Sequence, residues 1–453
     1  MASTDKTVFD AAFRSRIAET SNACVGCGKC FEACPITEPA GLAGSDSVAL
    51  TTGIKRFLEG GEAPKDSAQW ARACILSGDC LKACDYGVNP RLLLTMARMR
   101  LSEHELDAKT RRGQGVKAFA KLGRDVKILS RLQLDDTQLA RLGQPKVPTQ
   151  GASTAPSAPA PDVVFYTGCN VLKTPHIALL SLDILEALGI TYSVLGGPSH
   201  CCGILQYRAG DFDAANRMSS ATIEKFIATG TSAVVAWCPS CQVQFEEINL
   251  PTYERATGQS LVDMTPFMLF LKSRLPRLKS ALTEPVQLKI ALHAHPGVDG
   301  VPDAAREILR AIPGIELIDL DVPEVGLMSN SLRTLPDFQK ELHQRELEAA
   351  EKAGVDALVA VYHADHRELC AHERDRPFEV LNVLEIIAAS MGLHQHDRFK
   401  ELKLKQDADA ILADCEDLVV RHGISKDVAR DVVATAMLAD QPLPLRRSEK
   451  PTG

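Results

Sequence analysis

Cysteine carries the chemistry of this sequence. Fourteen occur, and twelve of them fall in three tight groups, at 24–34, 74–84 and 169–241. Ligands of a metal or a cluster are distributed this way, because one inorganic centre must be reached by several thiolates. Disulfides fit poorly. Disulfide scaffolds are short, whereas this chain has 453 residues and a core-forming composition that is 45% hydrophobic. Cys370 and Cys415 lie outside the groups, and Cys415 is expected to be a buried apolar cysteine.

The first group, CVGCGKCFEACP, sets Cys24, Cys27, Cys30 and Cys34 as C-x2-C-x2-C-x3-C-P. This is the bacterial ferredoxin run, in which three cysteines hold one cubane and the fourth reaches to a second cluster. Short spacers let three thiolates wrap one cluster, and Gly26 and Gly28 let the backbone come close. A zinc ion would need only four ligands and would leave the second group unexplained. That group, CILSGDCLKAC, spaces Cys74, Cys80 and Cys84 as C-x5-C-x3-C, with Ser77 where a further cysteine would stand. Exchange of the fourth ligands gives a 4Fe–4S cluster on Cys24, Cys27, Cys30 and Cys84. The second cluster receives Cys34, Cys74 and Cys80, with Ser77 near its fourth corner. Three thiolates suit a 3Fe–4S cluster; a second 4Fe–4S cluster whose last iron takes serine oxygen or water is the alternative. The spacing, followed by YGVNP, resembles the three-iron motif of succinate dehydrogenase iron–sulfur subunits, with Asp85 replacing the usual proline. It is also similar to the ferredoxin-like subunit of heterodisulfide reductase, which normally has a cysteine at the position of Ser77.

In the third group, 31 residues separate Cys169 from Cys201-Cys202-Gly203, and 35 separate Cys202 from Cys238-Pro-Ser-Cys241. Five thiolates exceed what a single zinc or a simple cubane needs. This pattern resembles the CCG (cysteine-rich) domain of heterodisulfide reductase catalytic subunits. Relatives occur in iron–sulfur subunits of glycolate oxidase and anaerobic glycerol-3-phosphate dehydrogenase. The resemblance spans roughly residues 15–395. It implies a noncubane 4Fe–4S cluster on Cys169, Cys201, Cys202, Cys238 and Cys241; a mononuclear zinc on four of the five is the alternative. It also implies an oxidoreductase subunit in a hetero-oligomeric complex, fed by a flavoprotein or another iron–sulfur subunit. One expectation is a relay towards a separate acceptor or a quinone, and the other is direct action on a thiol, disulfide or sulfur compound.

These ligands need elements to hold them. Residues 1–144 read as an all-α ferredoxin-like domain, including a helix that starts at Pro90. From Lys109 to Arg131 the only acidic residue is Asp125, which predicts a solvated basic helix face or a dock for an acidic partner. Residues 145–161, PKVPTQGASTAPSAPAP, read as a linker. Then strands and helices alternate, first over 162–285 and again over 286–395, so that an α/β unit is used twice. In such a unit the third cysteine group converges on the carboxyl edge of the sheet, where open α/β sheets bind ligands. Residues 396–453 read as short helices with a polar tail.

The second unit lacks the cysteines that the resemblance would require, so neither a second noncubane cluster nor paired-cluster cleavage of a disulfide is implied. Its loops hold His293, His295, His363, Asp365, His366 and, further on, Cys370. Such a set can bind a borderline divalent metal or touch a substrate or partner. The plainer expectation is that these residues are hydrogen-bonded or solvated remnants of loops that once held a cluster. A net charge of −7 argues against nucleic acid as a partner. No run approaches the ~18–20 apolar residues that cross a bilayer, and MASTDKTVFDAAF is not an export signal. A cytoplasmic protein is expected, held at a membrane only through a partner.

Overall fold

The structure is a computed structural model that describes residues 6–144, 160–259 and 262–446. All but the last two residues of the Pro/Ala/Ser stretch 145–161 lie outside the described residues.

Helices Lys6–Ala23, Ser47–Leu58, Lys65–Ala73, Pro90–Glu105, Ala108–Arg131 and Asp136–Arg141 make up most of the N-terminal part. Their starts follow from local chemistry. Asn89 accepts a hydrogen bond from the Leu92 amide at 2.8 Å ahead of Pro90, and Asp107 likewise accepts one from Thr110 at 2.9 Å. Two single-turn helices, Lys29–Glu32 and Asp79–Lys82, carry Cys30 and Cys80. The basic helix is not wholly solvated: its last turns bury Val126, Ile128 and Leu129. Asp125 is buried between Lys121 and Arg124, and Arg124 pairs with Asp431 of the C-terminal segment at 2.9 Å. Part of the acidic partner of this face is therefore the chain itself.

Among the described residues, eight strands form two four-stranded parallel sheets. The first comprises β1 (Val163–Tyr166), β2 (Tyr192–Leu195), β3 (Ala233–Ala236) and β4 (Asp263–Pro266), in the order β2-β1-β3-β4. The second comprises β5 (Leu288–His293), β6 (Ile315–Ile318), β7 (Ala357–Ala360) and β8 (Glu379–Asn382), in the matching order β6-β5-β7-β8. The central strands are mostly apolar, as parallel sheets covered on both faces require: VVFY in β1 and ALVA in β7 are entirely buried, and β5 departs from this only at Lys289 and His293.

One hydrophobic core runs from Phe9 in the first helix to Ala388 behind the second sheet. A smaller core joins Leu129 and Leu132 of the basic helix to Leu358, Phe378 and Phe399, and to Ile411, Cys415 and Met437 of the C-terminal helices. Cys415 is buried there, as expected. Helix Arg398–Leu404 and its successors are thus packed structure rather than a loose tail.

Candidate metal centres

The first two cysteine groups fold alike. Residues 24–34 and 74–84 align one to one, and in each a glycine with positive φ (Gly28, φ 84°; Gly78, φ 86°) starts the short helix that bears Cys30 or Cys80. The likeness extends to a position where the sequence disfavours it. Gly26 has φ 73°, and its counterpart Leu76 has φ 61°, left-handed backbone that leucine rarely adopts. The loop holds this shape through its neighbours: Leu327 N donates to Ile75 O at 3.1 Å, and Arg91 Nη1 donates to Leu76 O at 3.3 Å. The thiols group as two sets. Cys30 feels Cys24 and Cys27, while Cys80 feels Cys74 and Cys34 and, more weakly, Cys30, so the two sets adjoin. Burial pushes the Cys30 thiol up to about 11 and raises Cys34 and Cys80 as well. Trp70 Nε1 donates to Cys34 Sγ at 3.5 Å. Thiols this buried are stable as thiolates only against bound positive charge, which a metal centre would supply. Ser77 is buried beside them at 8% exposure.

The five cysteines of the third group lie at the carboxyl edge of the first sheet. Cys169 follows β1, Cys201 and Cys202 follow β2, Cys238 follows β3, and Cys241 sits in the first turn of helix Pro239–Gln244. All five are 1–6% exposed. Cys241 Sγ lies 3.6 Å from Cys202 Sγ, and side-chain contacts run on from Cys202 to Cys201 and Cys169, and from Cys241 to Cys238. Hydrogen bonds from Cys169 and Cys202 pull Cys201 down to about 4, while Cys169, Cys202 and Cys241 are held up. Gly203 explains the third letter of the Cys-Cys-Gly run: at φ 78°, a Cβ there would come within 2.5 Å of the Ala215 carbonyl oxygen.

The second and third groups are neighbours. Arg91 donates to Gly297 O at 2.5 Å and pairs with Glu247 at 2.5 Å, side chains 7% and 11% exposed. Glu247 belongs to the π-helical turn Phe245–Asn249, which directly continues the Cys241 helix. Leu76, Arg98, Ser240 and Val243 line a cavity of about 30 Å³ between the two.

The second sheet distributes its polar residues differently from the expected single set. His293, His295 and Asp365 converge, with donor atoms within 4.8 Å of one another. His366 turns away and donates from Nε2 to the Asp397 carboxylate at 2.6 Å, with His176 of the first unit 3.2 Å from the same carboxylate. His363 is buried with both ring nitrogens unpartnered. Cys370 is buried too, its thiol raised by burial to about 12. Spacing could not have found His176, Glu346 or Asp397, because each lies on a distant helix or loop and meets these histidines only through the fold.

Paired cysteine loops on helices, followed by an α/β unit with a five-thiol edge, define the class: an iron–sulfur component of an oxidoreductase. Residues 163–246 match the family model of the cysteine-rich CCG domain. The chain is similar to a subunit of the dihydromethanophenazine:CoB–CoM heterodisulfide reductase of Methanosarcina acetivorans, 25% identical over 82% of this chain and 94% of that one. The subunit of the same name from Methanosarcina barkeri is 22% identical over the same shares. A subunit of the fumarate reductase (CoM/CoB) of Methanothermobacter marburgensis is 21% identical over 80% of this chain and 71% of that one. The chain thus resembles iron–sulfur subunits of heterodisulfide reductases. No solved structure matches it significantly. No helix among the described residues is long and apolar enough to cross a membrane.

Proposed function

We propose that this chain is an electron-transfer subunit of a heterodisulfide reductase-like complex, fed by a flavoprotein or iron–sulfur partner. Cys24, Cys27, Cys30 and Cys84 would hold a 4Fe–4S cluster, Cys34, Cys74 and Cys80 a three-iron or serine-capped cluster, and the five later cysteines a noncubane 4Fe–4S cluster. Bound there, the clusters would supply one-electron chemistry at three closely spaced points. The protein's own part is placement. Residues 6–144 form the unit that bears the first two sites, and 162–285 the unit that bears the third. The observation that carries the reading is their junction. Arg91 ties the loop of Ser77 to the turn behind Cys241, so the second and third sites are held in fixed relation.

A relay is favoured over direct attack on a sulfur substrate, because the five cysteines are buried and the adjacent cavity of about 30 Å³ holds one or two water-sized spheres. Strictly anaerobic protein should contain about eleven irons with matching sulfide, or about twelve if the second site keeps four. Adding thiols and disulfides should leave the low-temperature EPR of the third cluster unchanged. A substrate-dependent signal would move the assignment to direct sulfur chemistry, and a colourless, zinc-loaded protein would end it.

A further inference from the structure

In the second sheet, His293 ends β5, His295 lies two residues on, and Asp365 belongs to the helix after β7. By strand register His293 stands where Tyr166 does in the first sheet, His295 where Gly168 does, beside Cys169, and Asp365 where Cys241 does, so the two units present different donors at the same edge. The ring nitrogens are oriented by their outer partners. His293 Nδ1 lies 2.5 Å from the Glu346 carboxylate, and His295 Nδ1 lies 2.6 Å from the Val325 carbonyl oxygen. Both acceptors fix the proton on Nδ1 and leave the Nε2 lone pairs facing inward. Those two Nε2 atoms are 3.2 Å apart, and His295 Nε2 is 3.5 Å from Asp365 Oδ1. Two lone pairs aimed at each other repel unless a proton or a metal cation lies between them, and the Ser329 hydroxyl is a further neighbour of His293 Nε2 at 3.3 Å. Bonds of 2.0–2.1 Å to one ion give a donor–donor spacing of about 3.3–3.4 Å in a tetrahedron and about 2.8–3.0 Å in an octahedron. The 3.2 and 3.5 Å spacings bracket the tetrahedral value, whereas His293 and Asp365 lie farther apart, within 4.8 Å, and would draw closer on an ion.

We infer that His293 Nε2, His295 Nε2 and Asp365 Oδ1 form a mononuclear site for a divalent cation of the zinc type, distinct from the cysteine centres. A carboxylate and a backbone carbonyl behind the two imidazoles are the outer partners that metal-bound histidines normally have. The Asp365 carboxylate is further anchored by the Ser329 amide at 2.8 Å. A cavity of about 20 Å³, enough for one water-sized sphere, borders both histidines and reaches the exposed Pro323 and Arg345, which gives an entry path. His343 also lines it, buried with both ring nitrogens unpartnered. Three protein donors leave a fourth position on the ion for water or an exogenous ligand, unlike a closed structural site.

The test uses the full chain, purified anaerobically with its clusters, incubated with Zn²⁺ and desalted. One zinc per chain is expected, with a zinc-edge X-ray absorption shell of nitrogen and oxygen at about 2.0–2.1 Å and no sulfur at about 2.3 Å. His295→Gln and Asp365→Asn should each abolish stoichiometric zinc while iron and sulfide stay at wild-type values. Glu346→Gln, which keeps an acceptor behind His293 but removes its charge, should bind zinc about 10–100-fold more weakly. This milder variant also guards against misfolding of the other two. Absence of zinc, a sulfur shell, or undiminished zinc in the variants would overturn the assignment. Loss of iron without loss of zinc would instead count against the cluster reading alone.

Discussion

Ser77 is the residue on which the character of the second site turns. Its loop keeps the shape of the loop that bears Cys27, although Leu76 holds a left-handed conformation that costs a non-glycine residue about 1–2 kcal/mol. A loop with no ligating role would be free to relax; this one is pinned by Leu327 and Arg91. A hard serine oxygen or water is a weaker partner for iron than thiolate, so the fourth corner is the labile one. Ser77→Cys should therefore convert a three-iron EPR signal into a four-iron one and raise the iron content by about one per chain. An unchanged spectrum would mean that Ser77 does not face the cluster. Short spacers make the first two cysteine groups conspicuous in the sequence, whereas the third, with spacers of 31 and 35 residues, is gathered only by the fold. The His293–His295–Asp365 set was only half legible. The sequence groups His363, Asp365 and His366 together, but successive residues of a helix point in different directions, and only Asp365 faces β5.

At the scale of elements, the second sheet has a task its lost cysteines do not suggest. Gly297 and the 326–327 turn occupy its ligand edge and form the seat of the Ser77 loop. A Cβ on Gly297 would lie 2.6 Å from Leu76 O, so the contact needs glycine. The Arg91–Glu247 pair closes the seat from the other side. With both side chains nearly buried, truncating either leaves a buried charge unpaired. Arg91→Ala or Glu247→Ala should each cost about 3–5 kcal/mol, read from denaturant unfolding of the cluster-loaded protein. The double variant should cost clearly less than the sum; strict additivity would show that the pair does not hold the junction. The alternation of strands and helices was readable because β1, β3, β5 and β7 are short apolar runs. The outermost β4 and β8 escaped, being edge strands that read DMTP and EVLN, with Asp263 and Glu379 exposed and a proline tolerable at the border.

For the whole molecule, the Pro/Ala/Ser stretch reads as a boundary, yet the described residues on either side share a core. Phe13 of the first helix stacks on Phe212 at 4.1 Å between ring centres and meets Tyr207 edge-on. Arg16 donates to the carbonyl oxygens of Glu247 and Ile248 at 2.7 and 3.1 Å, and Arg255 makes a two-pronged pair with Glu19. His422 Nε2 reaches Leu134 O at 2.9 Å, so the C-terminal helices fasten the N-terminal part a second time. Contacts this numerous and this apolar do not depend on the connecting peptide, whose closure contributes only a slowly varying entropy. A protease site introduced within residues 145–159 should, once cut, give two fragments that co-elute at the size of the intact chain and keep its iron and visible spectrum. They should separate only under denaturant. Fragments that part in native buffer, or that lose the third cluster's signal on cutting, would show that the fixed relation between the cluster sites depends on the linker and not on the shared core.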